Sequence, residues 1–219
     1  MPGSTSLLAE PLGPSLGIQA QLPILLAEYP FRTQQDIADY LHLLQDLPRY
    51  FSDLIALEQE KSRQGVFQND LAVDGIIRQC SAFLADADTP ESHLLHTVFQ
   101  NKLQASSLFS EAERNLCLQT HEKLLTSCVF PAYRSLSDAL SSLRGKGTQN
   151  AGGLSRQEGG LSYYAYLLRS RVGVDASPEE LTRLLTQQLA DQCAEMQIIL
   201  DQNPSLSLSE QALVLPFST

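Results

Sequence analysis

Apolar residues recur at the three-and-four spacing of an α-helix along nearly the whole chain, and no long stretch keeps the strict alternation of a half-buried strand. Over residues 33–47, Ile37, Tyr40, Leu41, Leu44 and Leu47 share one face behind Thr33, a residue suited to an N-cap. Pro48 cannot donate to the helix ladder and predicts a kink or restart before Tyr50, Phe51, Leu54, Ile55 and Leu57. Gly65 ends that segment. Asn69 or Asp70 caps a third, with Val73, Ile76, Ile77, Cys80, Phe83 and Leu84 inward, and Thr89-Pro90 opens a fourth carrying Leu94, Leu95, Val98, Phe99 and Leu103.

Ser110 with Glu113, and Ser177 with Glu180, have the spacing of capping boxes, in which hydroxyl and carboxylate each satisfy an orphan backbone amide. The first opens a long pattern through Leu116, Leu124, Cys128, Tyr133, Leu136, Leu140 and Leu143, with a kink expected at Pro131. The second opens the clearest helix of the chain, striped by Leu181, Leu184, Leu185, Leu189, Cys193, Met196 and Leu200. Between them, residues 145–160 hold six of the twelve glycines and predict a long loop, either a functional one or a mobile connector. The expected fold class is all-α, a multi-helix array or bundle with kinked helices and a Gly-rich loop, plus one short candidate strand at 212–215. Residues 1–219 read as a single helical region.

Composition narrows the partners. The chain has 219 residues and carries 15 Lys and Arg against 25 Asp and Glu, a net charge of −10. Phosphate backbones and anionic membranes need clustered cations, so no nucleic-acid partner is expected. The longest early apolar run, 22–27, is far short of a membrane span, and the first residues lack the basic start of a signal peptide. As written the chain predicts a cytoplasmic protein. Its four cysteines form no C-x-x-C pair and each falls in a helical pattern, so they read as buried free thiols.

Searches for reactive constellations return little. The glycines at 145 and 147 do not complete a Walker loop or a dinucleotide fingerprint. His93 and His96 lie three apart and could face one metal, but no third ligand is singled out, and a solvated or hydrogen-bonded pair is the simpler reading. His121-Glu122 begins like H-E-x-x-H, yet Leu125 stands where the second ligand belongs, so it reads as a surface turn. Glu58 with Glu60, and Glu179 with Glu180, read as solvated faces or helix-start charges. Tyr163, Tyr164 and Tyr166, after the glycines, are the candidate substrate-binding residues, because aromatic rings with a polar tip suit a groove wall; packing in the core is the alternative.

Residues 19–32 (QAQLPILLAEYPFR), 36–41 (DIADYL), 48–51 (PRYF), 60–67 (EKSRQGVF), 130–133 (FPAY) and 160–167 (GLSYYAYL) together resemble the bacterial family called domain of unknown function 885, in the family's order and across about residues 15–202. That resemblance implies a mostly helical, gluzincin-type zinc peptidase. It implies zinc for the full-length family, but the H-E-containing metal motif lies C-terminal to everything matched, so no cofactor is expected in this chain and no catalytic or metal residue can be placed on it. The resemblance thus implies a middle segment: a substrate-cleft scaffold whose partners are a peptide substrate or the missing C-terminal catalytic part. A stand-alone helical interaction module is the alternative, and uncovered Leu-rich stripes would favour self-association. An extracellular or lipoprotein-anchored location follows if a leader has been lost.

Overall fold

The computed structural model describes residues 7–147 and 153–203. All regular structure among them is helical, as the spacing predicts, and the chain divides into two compact units, Met1–Gly160 and Leu161–Thr219. The strand expected at 212–215 lies outside the described residues.

The first unit contains α1 (Ile18–Glu28), α2 (Gln34–Arg63), α3 (Asp70–Phe83), α4 (Leu94–Ala105), α5 (Glu111–Leu124) and α6 (Phe130–Leu143). Its spine is α2. Thr33 caps that helix as expected, and Asp36 reaches back to the Thr33 amide at 2.8 Å. From α2, Ile37, Tyr40, Leu44, Leu47, Phe51 and Leu54 are buried, and full burial of such side chains is worth about 1.5–3 kcal/mol each. α6 packs on both α2 and α3, and α4 packs on α5, so one core runs through the unit.

Three proline expectations change. Pro48 does not divide α2, which runs unbroken through it. Buried Leu44 and Leu47 before it, and Phe51 and Leu54 after it, hold both halves on one core and offset the lost hydrogen bond. Pro131 lies at the second position of α6, and the irregularity falls just ahead of it in a helical path that continues without a break. There Leu125–Val129 is π-helical, with the Phe130 amide donating to the Leu125 carbonyl, and both Leu125 and Val129 are buried. Finally, Thr89-Pro90 does not open α4. Pro90–Ser92 is a separate 3₁₀ turn, and α4 starts at Leu94 behind His93, whose ring nitrogen accepts the Leu95 amide in place of a hydroxyl cap.

The periodicity did not single out α1, which is apolar on most sides and contains Pro23. Polar anchors fix it at both ends. The buried Gln19 amide donates to the Gly13 carbonyl and to Gln79, both at 2.6 Å, while the Tyr133 hydroxyl donates to the Gln19 carbonyl at 2.9 Å. At the other end Lys102 donates to the carbonyls of Ala27 and Tyr29 and covers the last turn.

The glycine-rich stretch is not one open loop. Its start is tied to α3: the Gly145 amide donates to Asp70 at 2.8 Å, Arg144 pairs with Asp74 at 3.0 Å, and Gly147 lies so close to Gln68 that a β-carbon would fall on its carbonyl oxygen. Gly153–Arg156 forms a 3₁₀ turn, and Gly160 begins the next helix. Residues 148–152 lie outside the described set.

α7 (Gly160–Leu167) leads into the second unit, where a π-helical segment, Leu168–Val172, stops at Gly173 in the left-handed conformation (φ 76°) that favours glycine. α8 (Pro178–Gln202) follows behind the expected Ser177–Glu180 capping box. No residue of α8 is buried, so its apolar stripe faces outward.

Candidate functional site

Because α1 packs on α3 and α4, an open groove of about 400 Å³ remains between α1 and α2. Buried Leu26 and Leu47 form its floor, Ile18 and Leu22 flank them, and exposed Leu25, Leu43 and Tyr50 stand at the rim. Gln21, the Asp46 carboxylate and the Tyr50 hydroxyl are its polar groups. A concave apolar floor with a few polar groups at its edge suits one or two apolar side chains, with a carboxylate placed to receive an N–H or a cation. The sequence reading missed this groove because half of it comes from α1, whose apolar residues show no period. The density of Leu and Ile around Pro23 was the only available signal.

Tyr163, Tyr164 and Tyr166 all lie on α7, and none is buried. The rings of Tyr163 and Tyr166 stack with centroids 6.1 Å apart, and Tyr164 and Tyr166 are each 41% exposed. They are surface aromatics rather than core.

Among the histidines, His121 departs furthest from expectation, while His93 and His96 are hydrogen-bonded as one reading of them allowed. His93, His96 and His121 are all buried, and His121, read as part of a surface turn, is fully enclosed. Its ring lies flat on Phe99 at 4.2 Å, its Nε2 meets the Tyr40 hydroxyl at 3.2 Å, and its Nδ1 meets His96 Nδ1 at 3.4 Å. Burial, then the proximity of His96 and His93, pushes the His121 pKa down to about 3, so the ring stays neutral and the two facing Nδ1 atoms share one proton. Burial likewise raises the Tyr40 hydroxyl far above its ordinary value. His93 is spent on structure: its Nδ1 accepts the Leu95 amide, and its Nε2–H donates to the Phe83 carbonyl at 3.0 Å.

A zinc site needs three or more donors converging on open space, and here both ring nitrogens of His93 bond backbone while those of His121 meet Tyr40 and His96. Among the described residues, no group of three or more His, Cys, Asp or Glu could hold a metal. The described residues do not fit the zinc that the family resemblance implies.

Glu58 also corrects the sequence reading. It is buried rather than solvated, beside the fully buried Lys61, and neither of its carboxylate oxygens has a hydrogen-bond partner. Lys61 Nζ approaches Glu58 Oε1 at 3.6 Å but sits closer to Glu10, at 2.9 Å, and donates to the Ala9 carbonyl at 3.1 Å. Burial, with the Glu10 charge adding and Lys61 opposing, pushes the Glu58 pKa up to about 7. The cluster ties the segment ahead of α1 to α2. Glu60 pairs with exposed Arg63 as a surface acid should. All four cysteines are free as expected, but only Cys80 is buried, its thiol pushed up to about 12 by burial; Cys117 and Cys128 are half-buried and Cys193 is exposed on α8.

The family described as "Bacterial protein of unknown function (DUF885)" matches residues 6–214. No curated protein matches the sequence. Among solved structures, the fold resembles a crystal structure described as that of "the putative lipoprotein from Colwellia psychrerythraea", with a TM-score of 0.79 at 18% identity over 91% of this chain. The chain spans 34% of that protein's length.

Proposed function

The chain belongs to the bacterial DUF885 family, and from that premise we propose that it is the helical scaffold of a zinc-dependent peptidase, walling a substrate cleft whose metal and general base lie on another part. The observation that carries this reading is the α1–α2 groove, an apolar concavity of about 400 Å³ with Asp46 and Tyr50 at its rim, suited to an apolar side chain of an extended peptide. The longer structural neighbour, of which this fold makes up about a third, supports a role within a larger protein. Its name supports a lipid-anchored form for that larger protein over a cytoplasmic one. Independently of that groove, Tyr163, Tyr164 and Tyr166 on α7 are proposed as substrate-contacting residues, because aromatic rings with a polar tip suit a binding surface.

The test is binding without turnover. A labelled hexapeptide rich in Leu and Phe should bind the isolated chain by fluorescence anisotropy, and Leu43→Asp should weaken it about tenfold, with no cleavage. Cleavage that persists after every metal is chelated, or binding indifferent to Leu43→Asp, would overturn the reading. The stand-alone interaction module is favoured by one separate observation, the outward apolar stripe of α8.

A further inference from the structure

The segment ahead of α1, residues 7–17, lies against the first unit as a strap held in two different ways. Leu8 and Leu12 are buried, Leu12 within the core. Toward α1 uncharged groups hold the strap: Gln19 and Gln79 donate to the Gly13 and Pro14 carbonyls, and the Ile18 amide donates to the Pro11 carbonyl at 2.9 Å. Farther from α1 the polar hold is ionic and passes through one side chain. Lys61 of α2 donates to the Ala9 carbonyl at 3.1 Å and pairs with Glu10 at 2.9 Å.

One turn back on α2, Glu58 is a second claimant on the same ammonium. It lies 3.6 Å from Lys61 Nζ, its side chain is 1% exposed, and neither of its oxygens has a hydrogen-bond partner. The Glu10 side chain is 50% exposed. Among the described residues, the charged groups that bear on Glu58 are therefore Lys61 on its own helix and Glu10 on the strap. While the Glu58 carboxyl keeps its proton, Lys61 and Glu10 balance each other. Once it ionises, two carboxylates share one ammonium, and the excess negative charge must be either enclosed or hydrated. An enclosed charge without a partner costs far more than a hydrated one. Glu58 is enclosed where it stands, whereas Glu10 is already half in water. We propose that Lys61 is a latch shared by two carboxylates: ionisation of Glu58 draws Lys61 away from Glu10 and Ala9, and this end of the strap lifts off α2. Burial places that ionisation near neutral pH by raising Glu58 to about 7, and partial burial raises Glu10 as well, with Lys61 opposing. The strap is held where Glu10 is ionised and Glu58 is not, and is released as pH rises through about 7. Release bares Leu8 and the surface beneath it, whatever the α1–α2 groove binds.

The test follows the Ala9 methyl of the full chain by methyl relaxation NMR, with the buried Ala132 methyl of α6 as reference. In the parent the Ala9 order parameter should fall from about 0.85 at pH 6 to below about 0.6 at pH 8.5, while Ala132 stays ordered. Glu58→Gln, which cannot ionise, should keep Ala9 ordered at both pH values. Glu10→Gln, which leaves Lys61 no carboxylate on the strap, should lower the Ala9 value at pH 6 already. An Ala9 equally ordered at both pH values in the parent would overturn the proposal, since one ammonium would then serve both carboxylates. So would a pH dependence that survives Glu58→Gln, or a Glu10→Gln strap as ordered at pH 6 as the parent's. A matching loss of order at Ala132 would also overturn it, because the whole unit rather than the strap would be loosening.

Discussion

Replacing Glu58 by glutamine should stabilise the protein, increasingly as pH rises from about 4.5 to 7 and fully above that. In the folded chain the Glu58 carboxyl is enclosed with neither oxygen hydrogen-bonded, and its pKa is raised from 4.5 to about 7. A raised carboxyl pKa means that the folded state holds the proton more tightly than the unfolded one. The stability this confers is fully present below pH 4.5 and is lost as pH rises through about 7. At about 1.4 kcal/mol per pH unit, the interval amounts to about 3 kcal/mol. Glutamine is the same size and cannot ionise, so Glu58→Gln should gain about 1–3 kcal/mol at pH 8 and under about 1 kcal/mol at pH 5. For a chain of this size each kcal/mol moves Tm by about 2–4 °C. Thermal and urea unfolding at the two pH values measure the effect. A variant no more stable than the parent at pH 8, or one whose gain is the same at both, would refute the account of Glu58 as a charge buried at a cost.

Two further outcomes follow from the histidine cluster and the glycine anchor. His121 has its pKa lowered, so its contribution is present above pH 6.5 and is lost as pH falls toward 3; His121→Phe should unfold less steeply over that range, while losing about 1–3 kcal/mol at pH 7 with the Tyr40 and His96 hydrogen bonds. Acid titrations of parent and variant followed by circular dichroism would show it, and parallel curves would count against it. Gly147→Ala should cost about 1–3 kcal/mol, because its β-carbon meets the rigid Gln68 backbone, and amide exchange at Gly145, bonded to Asp70, should quicken. An unchanged exchange rate would mean that the stretch is not pinned there.

The helices were legible where a buried stripe and a cap coincide. Thr33, Ser110 and Ser177 each mark a start that the structure keeps, because capping is a local interaction. What local pattern could not supply was context. Pro48 looks like a break in isolation and is overruled by a core gripping α2 on both sides of it. His93 and His121 look polar, yet one acts as a cap and the other fills an aromatic stack drawn from three helices. The single-region reading and the role of the three α7 tyrosines depend on contacts that periodicity does not encode. α1, half of the groove, shows no period because apolar residues occupy most of its faces.

The π-helical turn at Leu125–Val129 has an arithmetic consequence. A turn closed by a bond to the fifth residue back holds one residue more than an α-helical turn, yet hands the chain on in nearly the same direction. Along α5 and α6 the chain therefore carries a residue that the helical phase does not count. Shortening that turn by one residue would restore ordinary helix and leave the flanking faces in place. The same deletion within α6 would swing everything beyond it by about 100°, carrying Leu140 and Leu143 out of the core. The segment is thus a spacer in sequence length that costs nothing in orientation, and it lets two helices of independent phase bury their stripes on one side.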